Sequence, residues 1–302
     1  MKKLLQKIFG QDTPAQPTPP IAELTTAPLS EDQLEPVTSG VPKLEPPQLI
    51  VGSARSVGQQ REHNEDSLYT FTATLAGNTT VIPFGIYVIA DGMGGHQFGE
   101  VASEVAVRAM SKYLISKLYH PIFGIVPESP NESLSEIMQQ GVYEAHQAVL
   151  KQAPGGGTTL TAVVVLGNRM TIAHVGDSRA YSVYLDGRMQ ILTRDHSLVK
   201  RLEELGQITP EEAEIHPQRN VLYRALGQGE PFEPDVTTAP LPQPGYVLIC
   251  SDGLWNLVSD AEIFRVIAAA PSPHRACQGL IDAANAAGGS DNITAILVRM
   301  PD

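Results

Sequence analysis

A chain of 302 residues with 33 Asp plus Glu against 21 Lys plus Arg carries a formal charge of −12. A hydrophobic fraction of 42% with 18% charged residues excludes wholesale disorder. The acid excess argues against a nucleic-acid binder, which needs a basic face to displace counterions from phosphates. Solubilising surface is the default home of that acid, so the question is whether part of it is gathered into a site.

The first ten residues, MKKLLQKIFG, have a basic flank but no unbroken apolar core and no small-residue cleavage site, so they do not read as a signal peptide. Leu4, Leu5, Ile8 and Phe9 on one side of a short helix would make a weak anchor; a frayed terminus is the plainer alternative. Residues 11–48 hold nine prolines and no sustained apolar period, which predicts a disordered Pro-rich N-terminal segment over 1–48 and a folded domain over 49–302. No stretch approaches the ~18 apolar residues of a membrane helix. Two cysteines, Cys250 and Cys277, cannot build a disulfide framework, which fits a reducing, cytoplasmic setting.

Within the domain, strand-like runs cover Ile86 to Ala90, Thr159 to Leu166, Met170 to Val175, Ala180 to Leu185, Gln190 to Thr193, Tyr246 to Cys250 and Ile293 to Arg299. Gly167-Asn168 and Asp186-Gly187 are hairpin dipeptides between them, so an antiparallel meander is expected. Helical stretches fall in two blocks, Val101 to Leu118 with Glu132 to Lys151, and Asp260 to Ala269 with Pro273 to Ala286. Ser259 and the Ser272-Pro273 pair read as starts of the last two. Strands and helices gathered in blocks predict an α+β layered fold.

Four carboxylates stand at the ends of these strands: Asp91 in IADGMGGH, Asp177 in VGDSR, Asp252 in ICSDG and Asp291 in GGSDNIT. Any one Asp-Gly pair is as readily a turn. Four beside apolar strands predict convergence in one cleft, where their repulsion calls for hard divalent cations, Mn²⁺ or Mg²⁺, rather than zinc. A glycine after the carboxylate, as at Gly92, lets a main-chain carbonyl turn toward the same ion. The segment REHNEDS, which precedes the strand-like Leu68 to Thr70, adds Asp66 and Glu65 as further acid and Arg61 as a planar cation for phosphate oxygens.

These residues resemble a known family. REHNEDS at 61–67, ADGMGGH at 90–96, GTT at 157–159, HVGDSRAY at 174–181, LTRDHSL at 192–198, YRALG at 223–227, CSDGLWN at 250–256 and SDNIT at 290–294 are similar, in that order, to the metal-dependent protein serine/threonine phosphatases of type 2C in their compact bacterial form. The resemblance covers the chain from Leu49 to Met300. It implies a four-layer α-β-β-α sandwich with two antiparallel central sheets and a flap segment beside the metal site.

By position, the resemblance implies that Asp91 bridges two metals, with the Gly92 carbonyl and Asp66, directly or through water, on one and Asp252 and Asp291 on the other. Asp177 would hold a third, weaker metal. A metal-activated bridging hydroxide is the implied nucleophile, with no phosphoenzyme, and Arg61 would support the phosphate oxygens. The implied substrates are phosphoserine and phosphothreonine in proteins phosphorylated by Ser/Thr kinases, and a monomer is expected.

Met93 stands where animal members carry a histidine, so His96 is the nearest candidate acid for the leaving oxygen. A metal-bound water, with His96 packing against the glycine loop, is the alternative. His216 and Arg219, on the polar stretch from Ser197 to Leu226, are candidate substrate contacts, against a solvated loop face. Trp255 reads as packing beneath the metal loop. The competing functions are a catalytically weak phosphoprotein-binding regulator and a dedicated partner-switching phosphatase on the same fold.

Overall fold

In the computed structural model, residues 46–77, 81–94, 97–124, 132–229 and 232–300 are described. His96 and nearly all of the predicted Pro-rich segment lie outside them. Strand β1 covers Ile50–Ser56, β2 Asp66–Ala76 and β3 Val81–Met93. In β3 every residue from Pro83 to Ala90 is buried. Side chains alternate across a strand, so Phe84, Ile86, Val88 and Ala90 enter one apolar cluster while Tyr87 and Ile89 enter another. A strand apolar on both faces needs a layer on each side.

Those layers follow from the remaining elements. Helix α1 (Gln97–Leu114) runs through a π-helical turn at Ile115–Tyr119 into α2 (His120–Phe123), and α3 is Leu134–Gln152. Next come β4 (Gly157–Thr158), β5 (Leu160–Leu166), β6 (Arg169–Val175), β7 (Arg179–Tyr184) and β8 (Met189–Ile191). Short helices α4 (Leu198–Glu204) and α5 (Pro210–Glu214) precede β9 (Asp235–Pro240) and β10 (Gly245–Cys250). The domain closes with α6 (Asp252–Trp255), α7 (Asp260–Ala269), α8 (Pro273–Ala286) and β11 (Ile293–Arg299).

One sheet has the order β2-β3-β5-β6-β9, with β4 extending the pairing of β3; the other has the order β1-β11-β10-β7-β8. All these pairs are antiparallel. Ala102, Ala106, Met110 and Leu114 of α1 share one helical face and, with Ile137, Val142 and Val149 of α3, cover the outside of the first sheet. Ile263, Ile267, Leu280 and Ile281 of α7 and α8 cover the outside of the second. Between the sheets, Tyr87, Ile89, Val163 and Ile172 meet Val247, Ile249, Ile296 and Val298. The result is the expected four-layer sandwich. Ser259 and Ser272 cap α7 and α8 through their hydroxyls, as their sequence positions predict.

Strands β1 and β9 were not expected, and β2 was expected only around Leu68 to Thr70. All three lie at sheet edges and are largely half-buried or exposed. Edge strands have no continuous apolar run to announce them. Cys250 and Cys277 are buried and unpaired, and burial raises both thiol pKa values, that of Cys277 to about 12. No helix among the described residues is long and apolar enough to cross a membrane.

The layered core makes a direct prediction. Ile249→Ala opens a void between the sheets and is expected to lower stability by about 3 kcal/mol, read from urea unfolding midpoints. Leu185→Ala, at a side chain 57% exposed, should change it by less than about 0.5 kcal/mol.

Candidate active site

Asp91 and Asp66 face one another because the β2–β3 ladder pairs them directly. The main chain at Asp91 is clamped: its N–H donates to Thr159 Oγ1 at 2.9 Å, and its carbonyl accepts from the Thr159 N–H at 2.8 Å and the Thr158 hydroxyl at 2.9 Å. At Gly92 a Cβ would lie 2.2 Å from the Gly99 carbonyl oxygen, so only glycine fits this close crossing of α1 over β3. Asp66 is buried, with Oδ2 accepting from the Ser251 hydroxyl at 2.8 Å. Its Oδ1 is also buried and closes no hydrogen bond, although the Thr294 hydroxyl lies nearby.

Asp252 opens α6 immediately after β10, and Asp291 precedes β11, the neighbour of β10 in the sheet. Arg61 Nη2 donates to Asp291 Oδ2 at 2.7 Å, so the expected phosphate clamp is paired with an expected metal ligand. Asn292 holds the two loops together. Its Nδ2 donates to the carbonyls of Val57 at 2.8 Å and His63 at 2.9 Å, while its Oδ1 accepts from the Glu65 N–H at 2.7 Å.

Asp177 sits in the corner between β6 and β7. Its carbonyl accepts from Trp255 Nε1 at 3.0 Å, and the Trp255 ring carries the Arg179 guanidinium 3.5 Å above its centre. Trp255 therefore packs beneath the acidic loops, as expected, and fixes the corner as well. Arg179 itself is committed to Asp195, with Nη2 to Oδ2 at 2.7 Å and Nε to Oδ1 at 3.1 Å.

A cavity of about 510 Å³ gathers Arg61, Asp91, Gly92, Asp177, Asp252 and Asp291. A second, of about 890 Å³, continues from Asp177, Asp252 and Asp291 to α4, α5 and Arg219. Desolvation, then the charges of Asp66, Asp252, Asp177 and Asp291, holds the Asp91 pKa well above the carboxylate range. Asp252 is raised likewise by desolvation and by Asp177, Asp291 and Asp66. Burial lifts Asp66 to about 6, and burial with the Asp195 charge lifts Asp177 to about 7.

Such a set suits cations with a preference for oxygen: the donors are carboxylates and a main-chain carbonyl, and Asp66 Oδ1 is an orphaned buried acceptor. The fit is one of chemistry rather than of closed geometry. Among the described residues, no three acidic or imidazole side chains close around one point at ligand spacing.

Most residues expected from sequence thus meet at one end of the sheets. Asp66 lies behind the cavity wall rather than on it, reached through its ladder partner Asp91. His216 lines neither cavity, and its Nδ1 accepts from the Gln218 N–H at 3.1 Å within its own turn. Sequence reasoning gave no role to Asn292, Ser251 or Thr159. Each stands inside a singled-out motif; a small polar residue beside a motif aspartate is the signal for Ser251 and Asn292, whereas Thr159, in GTT, has no aspartate beside it.

The protein phosphatase 2C family model matches residues 52–293. A putative protein phosphatase 2C-type from Streptococcus pyogenes is 39% identical over 246 residues, 80% of this chain and 94% of its own length. The serine/threonine phosphatase stp of Listeria innocua is 37% identical over 248 residues, 80% of this chain and 92% of its own. The crystal structure of the Mycobacterium tuberculosis serine/threonine phosphatase PstP/Ppp superposes with a TM-score of 0.69 at 33% identity, covering 84% of this chain and 99% of that one. The catalytic domain of PstP in complex with two manganese ions gives 0.68 at 32% identity, with coverage of 84% and 99%.

Two outcomes are expected from this geometry. Asn292→Ala removes three hydrogen bonds at a buried side chain and should lower stability by about 3 kcal/mol in chemical unfolding. Carboxylates with raised native pKa values keep protons that the unfolded chain has released, so chelator-treated protein should lose stability as pH rises from about 4 to 7. Its melting temperature should fall over that window, and added Mn²⁺ or Mg²⁺ should cancel the fall. A melting temperature that climbs from pH 5 to 7 in chelator would contradict the electrostatics.

Proposed function

The chain belongs to the protein phosphatase 2C family of metal-dependent serine/threonine phosphatases, and we propose that its acidic cleft hydrolyses phosphoserine and phosphothreonine in targets of Ser/Thr kinases. The observation that carries this placement is the convergence of Asp91, Asp177, Asp252 and Asp291 with Arg61 on one cavity. Asp91 would hold divalent ions, Mn²⁺ or Mg²⁺, together with the Gly92 carbonyl and Asp66, the latter directly or through water, on one side and with Asp252 and Asp291 on the other. Asp177 would hold a third, more weakly. When bound, such ions activate water for attack at phosphorus and offset the charge of the phosphate.

The chain's own contribution is placement. Hydrogen bonds from Thr158 and Thr159 hold Asp91 from behind, so its carboxylate needs little reorganisation when charge arrives. Arg61, about half exposed at the mouth, is assigned to the phosphate oxygens. Its bond to Asp291 keeps the guanidinium in the cleft. The segment from Ser197 to Leu226 is assigned as the flap against which a protein substrate lies, with Arg219 facing the cleft. His216 remains a weaker candidate for substrate contact.

The leaving oxygen needs a proton, for which His96 is the candidate donor. A monomer in a reducing, cytoplasmic setting is proposed, in keeping with two unpaired buried cysteines. The Pro-rich residues 1–48 are proposed as a tether to the phosphatase domain over 49–302.

Asp91→Asn and Asp252→Asn are each expected to reduce hydrolysis of p-nitrophenyl phosphate at least about a hundredfold. Chelation should abolish it and Mn²⁺ restore it; undiminished turnover in chelator would overturn the assignment. His96→Ala should spare p-nitrophenol release yet slow phosphothreonine peptides by about a hundredfold. Equal effects on both leaving groups would place the proton donor elsewhere.

A further inference from the structure

Behind the corner that carries Asp177 lies a buried polar network to which the catalytic reading gives no role. His196 is buried and touches Gly176 twice. Its main-chain N–H donates to the Gly176 carbonyl at 2.7 Å, and its ring Nδ1 accepts from the Gly176 N–H at 3.1 Å. The same carbonyl accepts from His174 Nε2 at 3.0 Å, with the two imidazoles 5.0 Å apart. Since Nδ1 accepts, the hydrogen of His196 sits on Nε2, which donates to Asp235 Oδ2 at 3.2 Å. Asp235 Oδ1 in turn accepts from Arg224 at 2.8 Å. Burial lowers the pKa of both imidazoles, that of His174 to about 4, which keeps both rings neutral, while the hydrogen bonds select the tautomer.

The network also closes the base of the segment that walls the substrate cleft. The Tyr223 N–H donates to the His196 carbonyl at 2.9 Å, the Leu198 N–H donates to the Val221 carbonyl at 2.8 Å, and Ser197 pairs with Leu222. One root of the segment is therefore His196 itself, and the other is Arg224, which shares Asp235 with the His196 ring and also places Nη1 3.2 Å from its Nε2. The corner has no slack on its other side. Gly176 has φ +108°, and a Cβ there would lie 2.5 Å from Thr159 Cγ2, the residue whose hydroxyl holds the Asp91 N–H.

We propose that His196 is a positioning residue that locks both roots of the 197–223 segment to the Gly176–Asp177 corner, so that the substrate wall and the Asp177 carboxylate keep one relative placement. It acts through Gly176, Asp235 and Arg224 and touches no reacting atom. The proposal extends the catalytic reading but is tested without it, because amide exchange requires neither metal nor substrate.

The experiment is hydrogen exchange on the full chain, resolved at Gly176, Leu198 and Tyr223. Asp235→Ala, on an edge strand and half exposed, breaks the lock with little risk to the fold. Exchange at all three amides should accelerate together by about tenfold while α8 is unchanged. His196→Asn places an acceptor where Nδ1 stands and should keep Gly176 slow; His196→Gln keeps only the donor toward Asp235 and should release it. In Asp235→Ala, KM for a phosphothreonine peptide should rise about fivefold, with kcat for p-nitrophenyl phosphate within about twofold of the parent. Acceleration of the segment with Gly176 unchanged, no acceleration at all, or identical exchange in the Asn and Gln variants would overturn the proposal.

Discussion

Asp66 stands opposite Asp91 at the end of an antiparallel ladder that runs from Ala76 and Val81 through eleven successive pairs. Two carboxylates held this close repel one another, and burial sharpens the repulsion. The ladder cannot relieve it by slipping, because a shift of one residue would exchange the two faces of β3 and send Ile86 and Val88 where Tyr87 and Ile89 belong. The apolar layers therefore hold the acidic pair together. Helices α1 and α3 on one side and the second sheet on the other supply that hold, and β10 and β11 bring Asp252 and Asp291 to the same end. Thr159 then fixes Asp91 from behind and bonds Ser178, the neighbour of Asp177, at 2.8 Å. Strain of this kind, stored in charge and held by packing, is what a cation-dependent site requires.

Much of this arrangement is legible in the sequence. A run such as Tyr87 to Ala90 ending in Asp91-Gly92 announces both a buried strand and the carboxylate at its end, and the same holds for Val247 to Cys250 before Asp252. The interior strands and the two helix blocks were readable for the same reason, since their burial is continuous in sequence. The edge strands β1 and β9 were not, because half-exposed segments such as Asp235 to Pro240 carry no apolar rhythm. Nor were the long-range polar contacts. Asn292 holds a loop more than two hundred residues away, and no local pattern distinguishes it from any other loop asparagine. The pairing of Arg61 with Asp291 is of the same kind: the two charges were each recognised, but their mutual attraction exists only once β1 and β11 lie side by side.

The two cysteines have a consequence of their own. Cys250 ends the strand that delivers Asp252, yet its sulfur is buried in the layer beneath α7 and α8, as is that of Cys277. Thiolate is the form that peroxides and alkylating reagents attack, and raised pKa values with no exposure leave almost none of it. A hydrolytic centre made of carboxylates, with its nearest thiols sealed away, offers oxidants no cysteine to attack, although the Met93 thioether lines the cleft. Thiol oxidation, which silences any enzyme whose nucleophile is a cysteine, would find no thiol to strike in the cleft of such a protein.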